Sequence, residues 1–305
     1  MRWRKLGLVF TPGAEQSWAS SHAQCPTPLL LNADTLRVYY TAWDAQGRGR
    51  PSFVDLDPKN PLRVRYAHAD PILDLGPAGS FDDNGIVTCS VLQVKPDLFY
   101  MYYAGFEQHK NVRYKIFTGL AISGDGVSFT RYSNIPILDR TAAEYCFRCG
   151  PFVLRDKGHF HIWYVGGSHW TRIGEKNLPV YELKHAVSPD GIVWPTETES
   201  TLRLSENDEH GFGRPWIFHN GDSYELHYSI RRASLGAYRL GVAFSKDTTA
   251  WERRDSELGL DVGPEEHDNA AIMYSALVAA HGKVYCFYNG NNFGEQGFAV
   301  AVREE

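Results

Sequence analysis

Apolar and polar positions along this chain alternate in short runs, and helical periodicity of any length is missing. One aromatic run recurs five times, at residues 36–40 (LRVYY), 98–103 (LFYMYY), 160–164 (FHIWY), 224–228 (YELHY) and 284–288 (VYCFY). Each run closes on a tyrosine, and those tyrosines are spaced by 63, 61, 64 and 60 residues. β-Branched and aromatic residues in near-alternation mark the runs as strands. A shorter apolar run precedes each one, at residues 28–31, 89–92, 151–154, 215–218 and 275–278, and reads as an inner strand. After three of them comes a third strand, a turn at Asp125, Asp190 or Asp247, and an outer strand. The Asp-Gly pairs at the first two turns favour the positive φ of a tight hairpin.

The repeat therefore predicts four strands per unit and an all-β chain. Five such sheets set radially make a five-bladed β-propeller, with residues 1–305 as a single domain. The last repeat stops at residues 298–302 (FAVAV) without an outer strand, while residues 3–9 (WRKLGLV) resemble the outer strands that begin at Phe129 and Trp251. The N-terminal strand is expected to complete the last blade and so remove an open sheet edge.

Charge and composition narrow the function. With 31 Lys+Arg against 36 Asp+Glu the net charge is −5, and no Lys/Arg-rich run offers a footprint for a phosphate backbone, so nucleic acid is not an expected partner. No stretch approaches the ~18 apolar residues of a membrane span, and Arg2, Arg4 and Lys5 interrupt the N-terminus, which predicts a soluble, cytoplasmic protein without membrane insertion. The five cysteines, at 25, 89, 146, 149 and 286, read as reduced thiols. Cys146 and Cys149 have C-x-x-C spacing, but no second ligand pair follows, so neither a metal nor a cofactor is expected.

Candidate chemistry comes from aligning the repeats. In a propeller the residues leading into the inner strands converge on one mouth. Six and seven positions before the inner runs stand His22 and Ser21, Asp83 and Asp82, Tyr145 and Glu144, Glu209 and Asp208, and Asn269 and Asp268. Four of the five repeats place a carboxylate there. Like charges gathered on one axis repel, whereas paired carboxylates beside a pocket suit acid–base work at a glycosidic bond. The candidate catalytic set is therefore Asp83, Glu144, Asp82, Glu209 and Asp268, with solvated loop charge as the plainer alternative. Trp43, Tyr103, Phe106, Trp163, Trp170 and Tyr181 lie at or beyond the ends of the aromatic strands, where rings can stack on sugar or pack the blades. Arg148, Arg214, Arg231 and Arg232 suit an anionic substituent or neutralisation of the acids. His22 and Gln24 stand at the first inner strand as neutral donors and acceptors. The expected substrate-binding set is His22, Gln24, Trp43, Tyr103, Arg148, Trp170, Arg214 and Arg232.

The five repeats and their acids resemble the five-bladed propeller glycoside hydrolases: arabinanases and xylosidases of family 43, invertases and levansucrases of families 32 and 68. Residues 21–26 (SHAQCP), 81–85 (FDDNG), 136–140 (PILDR), 213–215 (GRP) and 287–290 (FYNG) look most like uncharacterised bacterial propeller proteins associated with surface-polysaccharide genes. The resemblance implies three acids on the first three blades acting as base or nucleophile, as orienting group and as general acid. Asp83 or Asp82 matches the second and Glu144 the third. The first blade departs, with Ser21 and His22 where a carboxylate stands in that pattern, which leaves the base role to Glu209, Asp268 or His22. The implied function is a glycosidase-like enzyme acting on a small glycoside or polysaccharide-pathway sugar. The alternatives are a non-catalytic carbohydrate-binding or scaffold propeller and a glycosyl-transferring enzyme.

Overall fold

A computed structural model describes residues 1–13, 16–205 and 208–304, and the chain divides into two compact units. The first comprises Met1–Ile72, Trp216–Ser229 and Ala237–Glu305, the second Leu73–Pro215 and Ile230–Gly236. Both are built from β-strands, as the aromatic runs predict.

In the first unit β1 (Arg2–Phe10) stands apart in sequence from the sheet that it joins, and β2 (Ser21–Asn32), β3 (Thr35–Trp43), β4 (Gly49–Asp57) and β5 (Asn60–Ala67) form a four-stranded sheet in chain order. The second unit holds β6 (Ile86–Lys95), β7 (Leu98–Gln108), β8 (Tyr114–Ser123), β9 (Thr130–Arg131), β10 (Phe147–Asp156), β11 (His159–Ile173), β12 (Lys176–Ser188) and β13 (Glu199–Leu202). These are consecutive antiparallel neighbours from β6 to β9 and again from β10 to β13. The sets are not separate sheets. Strand β10 runs parallel to β8 over Phe147↔Ile116 and Arg148↔Phe117, and β14 (Glu209–Asn220) meets β12 at Tyr181↔Gly211, so these two inner strands zip briefly onto the third strand of the preceding repeat. β15 (Ser223–Arg232) follows, then β16 (Tyr238–Ser245) with β17 (Glu252–Arg253), β18 (Met273–Ala280), β19 (Lys283–Asn289) and β20 (Phe298–Glu304). Among the described residues, helix is confined to a single turn, Asn291–Gly294, and a 3-10 turn, Asp255–Glu257. No helix is long and apolar enough to cross a membrane.

The sheet that ends the chain has the order β1-β20-β19-β18, so the N-terminal strand is its outer strand, paired from Arg2↔Glu304 to Phe10↔Phe298. Cores lie between neighbouring sheets. In the first unit Leu36, Val38, Tyr40 and Val54 pack against Tyr285, Phe287, Phe298 and Val300; in the second Tyr102 and Leu120 pack against Phe160, Ile162 and Tyr164. The strands are buried because both of their faces are covered.

Two local devices shape the repeats. At the turn before each outer strand, Asp125, Asp190 and Asp247 each accept two backbone N–H groups two and three residues on, and each also accepts from Ser123, Ser188 or Ser245. The aspartate side chain closes these turns, which is why Thr248 at φ 67° replaces Gly126 and Gly191. The second device is a left-handed residue leading the inner strand: Cys25, Gly150, Arg214 and Tyr274 have φ of 54°, 61°, 35° and 58°. Each precedes Pro26, Pro151, Pro215 or Ser275, which corrects the alignment of the first repeat. Its inner run begins at Pro26, after a bulge between Gln24 and Thr27 that recurs at Cys149/Phe152 and Met273/Ala276, and β2 carries a further bulge between Ser21 and Gln24. Ser21 faces Trp43, three residues after Tyr40, as Phe147 faces Gly167, three residues after Tyr164, so Ser21 matches Phe147 and not an acid.

A buried ion cluster holds β20 to β15. Arg303 donates to both carboxylate oxygens of Glu225, at 2.9 and 2.6 Å, His227 Nε2 lies 2.9 Å from the same carboxylate, and the guanidinium covers the Trp3 ring of β1. Burial alone would raise the Glu225 pKa, but His227 and Arg303 outweigh it and hold it at about 2; burial lowers that of His227.

Two predictions follow from these contacts. Removing residues 1–12 bares the β20 edge and takes Val9 from the core, so the melting temperature should fall by ~10 °C or more; calorimetry showing unchanged melting would refute the role given to β1. Secondly, a carboxylate with a depressed folded pKa stabilises above its unfolded value and loses that contribution as pH falls through the folded one, here from 4.5 towards about 2. Lowered His227 adds a loss beginning below 6.5. The melting temperature should therefore decline from neutral pH towards pH 3, and Glu225→Gln should flatten the lower part of that slope.

Candidate functional site

The repeat tyrosines explain where the acids go. In the second unit Tyr103 donates to Asp82 Oδ2 at 2.9 Å, Arg131 binds the same oxygen at 2.7 Å, and Ser80 donates to Oδ1 at 2.9 Å. Tyr164 donates to Glu144 Oε2 at 2.8 Å, with Arg148 Nε 2.7 Å from that oxygen and Thr198 Oγ1 3.3 Å from the other. In the first unit Tyr288 donates to Asp268 Oδ2 at 3.0 Å and Lys5 binds it at 2.6 Å. Burial first, and then the neighbouring carboxylate, raise the pKa of Tyr103 and Tyr288; burial also raises that of Tyr164. The phenols stay protonated as donors.

Glycine makes room for each clamp. Gly105, Gly166 and Gly290 each stand two residues after the clamping tyrosine; a Cβ on Gly105 would sit 2.6 Å from Asp82 Cβ, one on Gly166 3.0 Å from Glu144 Cδ, and one on Gly290 against the His267 carbonyl and 3.0 Å from Asp268 Cα. The signal Tyr-x-Gly was legible in the sequence and identifies the clamped acids. The other two repeats have Ala42 and Ile230 there. Tyr40 is raised to about 12 by burial, with Ser52 as hydrogen-bond partner, and Tyr228 donates to Asp255 at 2.6 Å, which Arg253 also binds.

The sequence-predicted residues fall into two groups. Tyr103 and Trp163 are fully buried within the sheets, and Arg148 spends its donors on Glu144, Tyr164 and the carbonyls of Asp139 and Pro195. Their expected place against substrate is taken by packing, because these positions satisfy buried partners. Asp82 and Asp268 have fully buried side chains, whereas those of Glu144 and Glu209 keep 8% and 5% exposure. Asp83 is half-buried and closes its own loop, accepting from Gly79 N and Asn84 Nδ2. Asp208 accepts from Ser234, while Glu209 accepts from Ser205 N and lies 3.9 Å from Arg232. Arg214 is buried, with Nη2 3.4 Å from the Cys89 carbonyl. In the first unit His22 (φ 63°) stacks on Trp43 with centroids 3.8 Å apart, and Trp43 Nε1 donates to Gln24. All five cysteines are buried and unbridged.

The second unit gathers the remaining aromatics. Phe106, Tyr114, Trp170, Phe147 and Tyr181 make successive edge-to-face contacts at centroid separations of 5.5–6.4 Å, and His210 continues the series 6.3 Å from Tyr181 at 90°. Register explains it. Phe147, Gly167, Tyr181 and Gly211 pair in one row across β10, β11, β12 and β14, and the glycines leave space for the adjoining rings. Glu144 lies over Gly166 beside this row, and Glu209 is two residues before its end. His210, which the sequence reading passed over, directs Nδ1 to the Pro179 carbonyl at 3.1 Å, and burial lowers its pKa. Its neighbour Glu209 drew attention instead, because the alignment sought acids.

If the clamps carry the fold, Asp82→Asn and Asp268→Asn, each of which strips a buried cation of its partner, should cost ~3 kcal/mol. Urea titration measures this; a loss below ~1 kcal/mol would show that the clamps are incidental.

No family model matches the sequence. Among solved structures, one named "Glycoside hydrolase" superposes with a TM-score of 0.78 at 21% identity, over 99% of this chain and 91% of that one. A thermostable family-43 glycoside hydrolase gives 0.69 at 14% identity, over 92% and 89%. A structure from the GH130 family of mannoside phosphorylases gives 0.73 at 13% identity, over 99% and 93%. The fold is that of the propeller glycoside hydrolases. In sequence, the chain is 30% identical over 304 residues to "Uncharacterized protein Rv1502" of Mycobacterium tuberculosis (strain ATCC 25618 / H37Rv) and to "Uncharacterized protein MT1551" of strain CDC 1551 / Oshkosh, covering 100% of each in both directions. On that identity and coverage, the chain belongs to the same family as these mycobacterial proteins.

Proposed function

We propose that the protein is a five-bladed propeller acting on a glycoside through its second unit, with Glu144 and Glu209 as the carboxylate pair and the ring series as the platform for the sugar. The observation that carries this reading is the row Phe147–Gly167–Tyr181–Gly211, which sets an aromatic series beside Glu144 and Glu209, whose side chains, unlike those of Asp82 and Asp268, keep some exposed surface. Two strand spacings, ~10 Å of sheet, separate β11 beneath Glu144 from β14, which carries Glu209.

The pair is chemically unequal. Glu144 is fixed by Arg148, Tyr164 and Thr198, which suits a group held in one orientation; Glu209 accepts from the Ser205 backbone N–H at 2.9 Å and meets Arg232 only at 3.9 Å. Two carboxylates with different surroundings can divide the acid and base roles at a glycosidic bond. Asp82 and Asp268, without exposed side-chain surface, are assigned to the fold.

The second reading is glycan binding without turnover. It is favoured by the engagement of both Glu144 oxygens and by the first repeat, where residues 18–22 (WASSH) hold no carboxylate in the segment that has an acid in the hydrolytic pattern.

A panel of p-nitrophenyl glycosides, read by released nitrophenol, decides between them. Glu209→Gln should lower turnover ~10²–10⁴-fold with unchanged melting, and Glu144→Gln should lower both turnover and melting, since Arg148 loses its partner. Saturable glycan binding without nitrophenol release would establish the second reading. Full activity in both variants would remove the pair from the mechanism.

A further inference from the structure

His210 is a buried histidine that neither the fold nor the proposed carboxylate chemistry uses. Its Nδ1 faces the Pro179 carbonyl at 3.1 Å, and a carbonyl oxygen only accepts, so Nδ1 carries the proton. That fixes the tautomer and leaves Nε2 with its lone pair. Nε2 has no hydrogen-bond partner among the described residues, and the residue as a whole keeps 5% exposure. The ring stands edge-on to Tyr181 at the end of the aromatic series and next to Glu209.

We infer that His210 Nε2 is the acceptor for one hydroxyl of the sugar lying on that series. The inference rests on the function proposed above and deepens it, because it states the chemistry required of the ligand at one position. An oriented lone pair with no donor opposite it selects a group that gives a hydrogen bond. A hydroxyl does so; an ether, a deoxy carbon or a carboxylate does not. Losing one such contact at a site built for it removes affinity for the correct sugar and the preference against its deoxy analogue together. Burial lowers the imidazole pKa and keeps the acceptor form at neutral pH; the Pro179 carbonyl raises it, Arg231 lowers it and Asp208 raises it. The adjacent Glu209 and Arg214 are the other charged side chains on the same strand. Protonation in acid turns the acceptor into a donor.

The first test uses the wild-type protein and imidazole ¹⁵N resonances at pH 7. His210 should show a protonated Nδ1 and an unprotonated Nε2, and the Nε2 resonance should move when a p-nitrophenyl glycoside from the panel binds. The opposite tautomer, or an Nε2 resonance unmoved by every glycoside, overturns the inference, whether or not any glycoside is cleaved. The second test uses two variants. His210→Asn retains a donor for the Pro179 carbonyl and removes the acceptor, and should weaken kcat/KM or affinity about tenfold or more at unchanged melting. His210→Gln reaches the Nε2 position and should restore part of the loss. The deoxy analogue of the best glycoside should lose affinity in the wild type and lose nothing further in His210→Asn. Equal losses in both proteins overturn the assignment while leaving the carboxylate pair standing. Loss of turnover in Glu209→Gln with unchanged kinetics in His210→Asn has the same meaning.

Discussion

A carboxylate removed from water must meet donors that replace its hydration, and the inner acids of this chain meet that requirement with a tyrosine hydroxyl and a cation. The cost of a buried charge left alone exceeds what one hydrogen bond returns, so the acid, the phenol and the cation stand or fall as a set. The tyrosine closes the aromatic run within its strand, and the acid lies in the loop before the inner strand. The cation comes from wherever the chain can supply it: Arg131 on β9, Arg148 on β10, Lys5 on β1. One chemical rule thereby fixes how three of the five inner strands begin. The same set ties β1 to its sheet by a second route, since Lys5 bonds Asp268 while the strand pairs with β20.

The glycines are the steric side of this rule. A side chain at Gly105, Gly166 or Gly290 would occupy the space of the acid or of the loop carrying it. Where the position is filled, at Ala42 and Ile230, the clamp is absent and the tyrosine finds another partner. In the second unit the same economy of space, extended to Gly167 and Gly211, lets the Phe147 and Tyr181 rings lie across the strands. A row of residues in register becomes a series of rings in contact.

Strand identity, the recurrence of the aromatic run and the pairing of residues 3–9 with the last strand were legible because they depend on local alternation and on a repeat length. The register of the first repeat was not, because the left-handed residue that leads its inner strand is Cys25, two residues earlier than the apolar run suggests, and an additional bulge between Ser21 and Gln24 leaves no side-chain signature. Separate sheets were expected where neighbouring sets in fact join through short parallel contacts, which carry no side-chain signature. At the site, sequence position found Asp82, Glu144, Glu209 and Asp268 but gave no means of telling a clamped acid from an accessible one. The difference lies in partners more than a hundred residues away for Asp268 and 49 away for Asp82. His210 was missed for a different reason. A histidine's chemistry depends on which nitrogen is engaged, and the carbonyl that decides it is on another strand.

The fourth repeat is where the structural rule relaxes. Tyr228 is satisfied by Asp255, and Asp208, at the position of the clamped acids, turns outward to Ser234. Glu209, one residue on, is therefore not required by its own repeat's tyrosine, and neither is His210. Repeated units keep a feature wherever folding depends on it, so the unit that can dispense with the clamp is the one in which the same positions are open to other chemistry. The proposed site uses both kinds of repeat. Glu144 comes from a repeat that holds its acid rigidly, while Glu209 and His210 come from the one that does not. A glycosidic bond between them would meet one group fixed in direction and others whose surroundings respond to the ligand, an inequality that a ring of identical clamped acids does not provide.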